Sequence, residues 1–190
     1  GGWLIVGAPG DSQEHGSEGA AHVFAFHDSE WGFVQTLRAP PEYAGTYFGS
    51  DVAIDGNCVW ITDNGWYFAH VFELRNGKWL HKQSIVHNGS YCDVSLSGSS
   101  AAVVAGHQGV FLYSLLEDSW QLTKQLSGAG RGYFRPWLVT EQNLLIGEPE
   151  AAGEHHGPGA LFAYNAGVHG WRRTARLDPP EPGNENDRYG

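Results

Sequence analysis

The chain has 190 residues, 41% of them apolar, with 27 Gly and a formal net charge of −10. That is enough apolar material for a substantial core, and the glycines suit many tight turns. The acidic balance argues against a nucleic-acid backbone or an anionic membrane surface as partner, and no apolar run approaches the ~18 residues of a membrane-spanning helix.

Read from the N-terminus, the chain is a succession of short runs rich in Val, Ile, Phe, Trp and Tyr, separated by Gly, Asn, Asp, Ser and Pro. That is strand-and-turn punctuation, and no window carries a sustained helical stripe with caps. Leu4-Ile5-Val6 comes first, then Val23-Phe24-Ala25-Phe26, then a strand from Trp31 through Gln35-Thr36-Leu37. A fuller set follows: Asp51-Val52-Ala53-Ile54, Val59-Trp60-Ile61, Val71-Phe72-Glu73-Leu74, and a strand from Trp79 to Ile85. A third set is Asp93-Val94-Ser95-Leu96, Ala102-Val103-Val104, Val110-Phe111-Leu112-Tyr113, and Trp120 to Leu126. The fourth is Trp137-Leu138-Val139, Leu144-Leu145-Ile146, Leu161-Phe162-Ala163-Tyr164, and Trp171 to Leu177. Tight turns such as Asp55-Gly56-Asn57 and Ser97-Gly98-Ser99 join first strands to second, and Arg75-Asn76-Gly77-Lys78 is a hairpin signal between third and fourth.

Each fourth strand opens on a Trp followed six residues later by Leu or Ile, at 31/37, 79/85, 120/126 and 171/177. From the first residue of the third-strand run to the Trp the distances are 8, 8, 10 and 10. An aromatic landmark precedes each first strand: Phe48, Tyr91, Phe134 and Tyr189, spaced 43, 43 and 55. Four antiparallel strands repeating at about 40–50 residues fit an all-β propeller of four-stranded blades. The blades are read as residues 1–47 (lacking a first strand), 48–90, 91–133 and 134–186, with 187–190 opening the next. Residue 1 is Gly and Met is absent. The expectation is therefore a partial arc, about four blades of an expected seven, since a full ring would need roughly 320 residues. Its open blade faces would be covered by further blades or other chains. The repeated Trp is expected to be core between blades.

Phe48-Gly49 before a short apolar strand, and Gly7-Ala8-Pro9 after Leu4-Ile5-Val6, resemble the two elements of FG-GAP repeats. Such repeats build the propeller of integrin α-subunits and of many microbial secreted proteins. The resemblance is closest over residues 3–56 and decays to Tyr91-Cys92, Phe134-Arg135 and Gly147-Glu148-Pro149. It implies an extracellular or cell-surface setting. Calcium-binding members carry an Asp-x-Asp-x-Asp-Gly loop between first and second strands. Here that connection is Asp55-Gly56-Asn57, Ser97-Gly98-Ser99 or Thr140-Glu141-Gln142-Asn143, and one carboxylate cannot supply six to eight oxygens. No metal and no cofactor are expected.

Cys58 and Cys92 fall at opposite strand ends, about 15 Å apart by ~3.3 Å per residue, too far for a disulfide. Asn88-Gly89-Ser90 is an N-glycosylation sequon on a predicted loop. In a blade, the connection from second to third strand shares one end with that from fourth strand to the next first strand. Two second-to-third connections are long, Gly10 to Gly19 and Glu150 to Gly159, and long loops on a rigid scaffold are where binding concentrates. The candidate ligand contacts are Asp11, Glu14, His15, Tyr43, Trp66, His107, Glu150 and His155. Glu154-His155-His156 lacks the convergence a metal needs. No nucleophile elbow, zinc-protease motif or phosphate loop is present. The sequence reads as a non-enzymatic recognition or structural module taking a protein or glycan. The alternatives are a lectin, or the scaffold domain of a larger secreted enzyme or assembly. A lectin would repeat its binding residues, and Trp66 and Tyr67 have no counterpart in the other loops.

Overall fold

Apolar runs bounded by turn residues become strands because pleated backbone lets β-branched and aromatic side chains pack on both faces of a sheet. In a computed structural model of the chain, the described residues are 2–12, 18–43, 47–65, 67–87, 92–126, 135–140, 142–148, 159–167 and 170–178. They form four antiparallel sheets in which each strand pairs with its neighbour in sequence. The first holds β1 (Trp3–Ala8), β2 (Ala20–His27) and β3 (Glu30–Leu37); the second β4 (Phe48–Asp55), β5 (Cys58–Asp63), β6 (Phe68–Arg75) and β7 (Lys78–Val86). The third holds β8 (Cys92–Ser97), β9 (Ser100–Ala105), β10 (Val110–Leu116) and β11 (Ser119–Leu126); the fourth β12 (Arg135–Val139), β13 (Asn143–Glu148), β14 (Ala160–Gly167) and β15 (Gly170–Leu177). The chain divides into two units, Gly1–Val94 and Ser95–Gly190.

The outer hairpins turn on two residues with positive φ, the geometry that matches strand twist. These are Asp28 and Ser29 (50° and 68°), Asn76 and Gly77 (51° and 75°), and Glu117 and Asp118 (46° and 65°). Only the second pair has the preferred Asn-Gly chemistry.

Every outer strand carries one β-bulge, and all four sit at the same place. The register shifts at Val23/Phe24, Val71/Phe72, Leu112/Tyr113 and Ala163/Tyr164. The unpaired outer-strand residues are thus Val34, Lys82, Thr123 and Thr174. Thr123 and Thr174 each donate their hydroxyl to an inner-strand carbonyl beside the bulge, Leu112 O at 3.0 Å and Ala163 O at 3.2 Å.

The bulge decides which way the repeated Trp points. Leu37 opposes Ala21 and Trp31 opposes Phe26, so the outer pair is six residues apart and the inner pair five. In a regular strand an even spacing keeps both side chains on one face; the inserted residue puts them on opposite faces. Each outer strand can then offer its Leu or Ile to the following sheet and its Trp to the preceding one.

Both units use this device. In the first unit, Ile5, Ala21, Val23 and Leu37 of the first sheet pack against Phe48, Val59, Ile61, Phe72 and Trp79 of the second. In the second unit, Ala102, Val104, Val110, Leu112 and Leu126 pack against Leu144, Ile146, Tyr164 and Trp171. A polar clasp repeats as well. Gln35 donates from Nε2 to the Trp79 carbonyl at 2.9 Å and accepts the Trp79 amide at 3.0 Å. At the equivalent position Lys124 donates from Nζ to the carbonyl of Trp171.

Two expectations need correction. The ladders place Ala21, Ala69, Val110 and Leu161 opposite Leu37, Ile85, Leu126 and Leu177. Each of those inner residues lies ten before its Trp, so the distances 8, 8, 10 and 10 came from matching the Phe residues two positions out of register. A shift of two preserves facing, which is why the apolar pattern hides it. Second, Trp79, Trp120 and Trp171 are buried, but Trp31 is 48% exposed. It lies on the face of the first sheet turned away from the second, where Trp79 has the first sheet to enter.

Trp79→Ala should cost about 3–5 kcal/mol in urea unfolding, and Trp31→Ala less than about 1 kcal/mol; equal costs would contradict this account of the bulge. Replacing Glu117-Asp118 by Asn-Gly should raise stability by roughly 0.5–1 kcal/mol, visible as a higher urea midpoint with an unchanged slope.

Candidate functional site

The ladders bring three connections to one end of the first unit: residues 9–19 between β1 and β2, residues 38–47 between β3 and β4, and residues 64–67 between β5 and β6. Glycine packs the two sheets tightly there. A Cβ on Gly7 would lie 2.1 Å from the Gly49 carbonyl oxygen, and one on Gly49, at φ 88°, would lie 2.1 Å from that of Ala20. Gly19, at φ 81°, is as close to the Phe48 oxygen and bridges to Phe48 in parallel. The Gly of Gly-Ala-Pro and the Gly of Phe-Gly are therefore one contact, backbone against backbone across two sheets. No side chain fits, which is the physical reason for both residues.

Above this contact lies a polar cluster. The Asp11 amide donates to Ala8 O at 3.0 Å, and the Gly19 amide donates to Asp11 O at 2.7 Å. Arg38 reaches back to both ends of the loop, from Nη2 to Asp11 Oδ1 at 3.4 Å and from Nη1 to Gly19 O at 3.0 Å. His22 Nε2 is 3.6 Å from Asp11 Oδ2, and its Nδ1 is 3.1 Å from Thr36 Oγ1. These side chains are about 30% exposed, so the cluster pins the loop and still meets solvent.

Beside it is an aromatic cluster. Tyr43, in a 3-10 turn over Pro41–Tyr43, packs edge-on to Phe68 at 5.1 Å and on His70 at 6.1 Å, and Phe48 lies 5.4 Å from His70. His70 is fully buried, and its Nδ1 is 2.8 Å from Ser84 Oγ. Ser84 Oγ is in turn 2.8 Å from His81 Nε2. Burial, helped by the nearby His81, lowers the His70 pKa to about 4, and burial alone does the same to His87. Both rings are uncharged at neutral pH.

Two tyrosines at this end hold left-handed backbone without being glycine, Tyr47 at φ 68° and Tyr67 at φ 63°. Each costs of order 1–2 kcal/mol. Tyr47 leads directly into the glycine contact. Its carbonyl accepts Ser50 Oγ at 2.6 Å, and the next amide, that of Phe48, donates to Glu18 O at 3.1 Å. Its side chain is 49% exposed.

Of the residues singled out in the sequence, the structure brings Asp11 and Tyr43 to this end. Asp11 is engaged by Arg38 and His22, and Tyr43 by Phe68 and His70. His107 lies in a 3-10 turn of the second unit, Gly106–Gln108. Glu14, His15, Trp66, Glu150, His155 and the sequon Asn88 lie outside the described residues. Among the described residues no three His, Cys, Asp or Glu side chains form a metal cluster. Tyr47, Arg38 and the His22–Thr36 and His70–Ser84 pairs escaped notice. The pairs do leave a signal, Ala-His-Val-Phe at 21–24 and 69–72 with a hydroxyl residue 14 positions after each His.

The structure is similar to many solved ones, among them the following three. A protein from Lactobacillus plantarum matches over 93% of this chain and 53% of its own, with a TM-score of 0.65 at 12% identity. The six-bladed fucose-recognising lectin of the fungus Aleuria aurantia matches over 87% and 55%, with a TM-score of 0.57 at 11% identity. Saccharomyces cerevisiae Sqt1 matches over 72% and 35%, with a TM-score of 0.53 at 12% identity. The fold is that of a β-propeller. Each sheet is a blade, and the likeness at these identities is one of fold alone. The chain spans about half the length of the first two structures and about a third of the third. No protein-family model matches the chain, and no curated protein matches it by sequence.

The buried histidines set a pH dependence. Their folded pKa values lie below the unfolded value of 6.5, so the unfolded chain binds more protons between about pH 6.5 and 4. Stability is full above that window and falls as pH drops through it, by about 3 kcal/mol for each histidine at about 1.4 kcal/mol per pKa unit. His70→Gln should flatten the fall in urea midpoint between pH 7 and 4; an unchanged pH slope would show that His70 is not the sensor.

Proposed function

We propose that this propeller is a non-enzymatic recognition module of FG-GAP type, extracellular or at the cell surface, which meets a protein or glycan ligand at the loop end of its first unit. The Gly7–Gly49 contact supports the FG-GAP reading, because it gives both motif glycines one steric purpose. The sequon at Asn88 supports the setting. The observation that carries recognition is Tyr47. It is a half-exposed aromatic in a conformation that glycine would adopt without strain, next in the chain to the close backbone contact of Gly19, Phe48 and Gly49. Strain retained at an exposed position favours a role in function over one in folding. The neighbouring Asp11, His22 and Arg38 supply the polar partners a ligand needs beside an aromatic platform. The fold is a rigid support for such loops rather than a chemistry of its own.

A second reading, a lectin-type propeller, is favoured by the same tyrosine. An exposed ring at the same end of the unit as carboxylate and guanidinium groups suits a sugar's apolar face and hydroxyls, and one of the similar structures is a lectin that recognises fucose.

Tyr47→Gly separates function from stability. It should raise the unfolding free energy by about 1 kcal/mol through relief of strain, while lowering ligand affinity about tenfold, as loss of an anchoring aromatic does. The ligand is to be found on a glycan array and by a screen of extracellular protein domains. Undiminished binding by Tyr47→Gly would remove the site, and turnover of a bound glycan would overturn the non-enzymatic reading.

A further inference from the structure

Each unit has a seam between the outer strands of its two sheets, β3 with β7 in the first unit and β11 with β15 in the second. Register makes the positions along the two seams equivalent. Gln35 and Lys124 stand four residues after Trp31 and Trp120, and each clasps the carbonyl of the Trp in the next sheet. His81 and Arg173 stand two residues after that Trp, Ser84 and Arg176 five. Gln35, His81 and Ser84 of the first seam are therefore Lys124, Arg173 and Arg176 in the second.

The bulge at Thr174 gathers both arginines onto one face. Arg173 opposes Tyr164 and Arg176 opposes Phe162, and these in turn oppose Leu144 and Ile146, which are buried against the third sheet. In a regular strand, side chains three positions apart would point to opposite faces. Both guanidiniums lie over the buried Phe162 ring, with Cζ at 5.3 Å from its centre for Arg173 and 5.6 Å for Arg176. The ring thus holds two like charges together. Lys124 brings a third from across the seam, its Nζ donating to the Trp171 carbonyl. Among the described residues one carboxylate pairs with the three cations, Asp178, which accepts from Arg176 Nε at 2.6 Å.

Blade packing does not demand these charges. In the first seam Gln35 and Ser84 are uncharged, and burial above all lowers the pKa of His81. The chain has 11 Lys and Arg against a net charge of −10, and three of the 11 meet here. Basic residues kept for solubility alone would be interspersed with acidic ones. We infer that the seam of Lys124, Arg173 and Arg176 binds the sulfate or carboxylate groups of an acidic glycan chain. A guanidinium fork meets two oxygens of such a group at once, and the ammonium adds a compact charge. An acidic peptide would instead add as a strand along the outer edge of β15. The bulge interrupts that row of backbone groups, and the Thr174 hydroxyl is already engaged with Ala163 O and Asn165 Oδ1. The acidic balance of the whole chain opposes a nucleic acid. The inference does not rest on the loop-end site of the first unit.

Calorimetric titration of the full chain with a heparin oligosaccharide tests it. Binding should weaken with salt at a log–log slope of about −2, as three contacts to a flexible polyanion give. Arg173→Gln and Arg176→Gln should each lower affinity about tenfold, the loss of one charge-assisted contact. Both side chains are exposed, and circular dichroism checks that the variants fold. Arg172→Gln removes the same charge from the opposite face, where Arg172 opposes Asn165, and should change affinity little. Tyr47→Gly should leave this binding unaltered. Hyaluronan, which carries carboxylates and no sulfates, tells the two groups apart: if it binds as well, carboxylate suffices, and if it does not, sulfate is the group held. No binding of the heparin oligosaccharide overturns the proposal. Equal losses from Arg172→Gln and Arg173→Gln overturn it too, since the charge would then act without the seam. Single-stranded DNA or oligoglutamate binding as tightly as the heparin oligosaccharide would overturn the choice of a glycan.

Discussion

One inserted residue per outer strand controls how these sheets pack. Trp and Leu six positions apart would share a face in an unbroken strand, and the sheet would then bury one side and leave the other with nothing to offer a neighbour. The bulge at Val34, Lys82, Thr123 and Thr174 divides them. A blade so built is apolar on both faces and can stack in series. The cost is a disrupted ladder at each bulge, and Thr123 and Thr174 offset it by bonding to the nearby carbonyl. The clasps of Gln35 and Lys124 then fix the depth to which the Trp of the next sheet can enter.

At the other end of the blade the constraint is glycine. Gly7, Gly19 and Gly49 allow the two sheets of the first unit to approach backbone to backbone, and every Cβ added there meets an oxygen at 2.1 Å. This contact fixes the loops that leave it. Glu18 and Gly19 run beside Phe48, Arg38 ties Gly19 to Asp11, and Tyr47, at φ 68°, leads directly into Phe48. The described part of the candidate site thus grows directly from a close backbone contact between two sheets. Precision of this kind is what a recognition surface gains from a scaffold.

Strands, hairpins and the repeat were legible because they rest on local chemistry. Asn76-Gly77 announces its turn, and Val59-Trp60-Ile61 announces a strand buried on both faces. Facing was harder to read. Val23-Phe24 and Val110-Phe111 look equivalent, yet the ladders offset them by two, because period-two patterns cannot distinguish such registers. The exposure of Trp31 was illegible for another reason. Its sequence context matches that of Trp79, and only the presence of a neighbouring sheet decides burial. The site suffered most. Asp11 was visible as a loop carboxylate, but Arg38 lies 27 residues away and nothing local links them. Tyr47 was masked by the more familiar Phe-Gly beside it.

The same histidine position serves two purposes, and the comparison separates scaffold from site. His22 and His70 each oppose a hydroxyl residue across the outer hairpin, Thr36 and Ser84, and each ring bonds to it through Nδ1. In the second sheet, His70 is enclosed by Phe48, Phe68 and Tyr43, and burial keeps it neutral. In the first sheet the equivalent ring is 30% exposed and turns its other nitrogen toward Asp11. One backbone position therefore yields a packing residue where a sheet covers it and a polar, solvent-reachable residue where none does. Covering the first sheet with another blade would convert the second case into the first. It would remove water from His22 and Asp11 together, strengthening their interaction as the local dielectric falls.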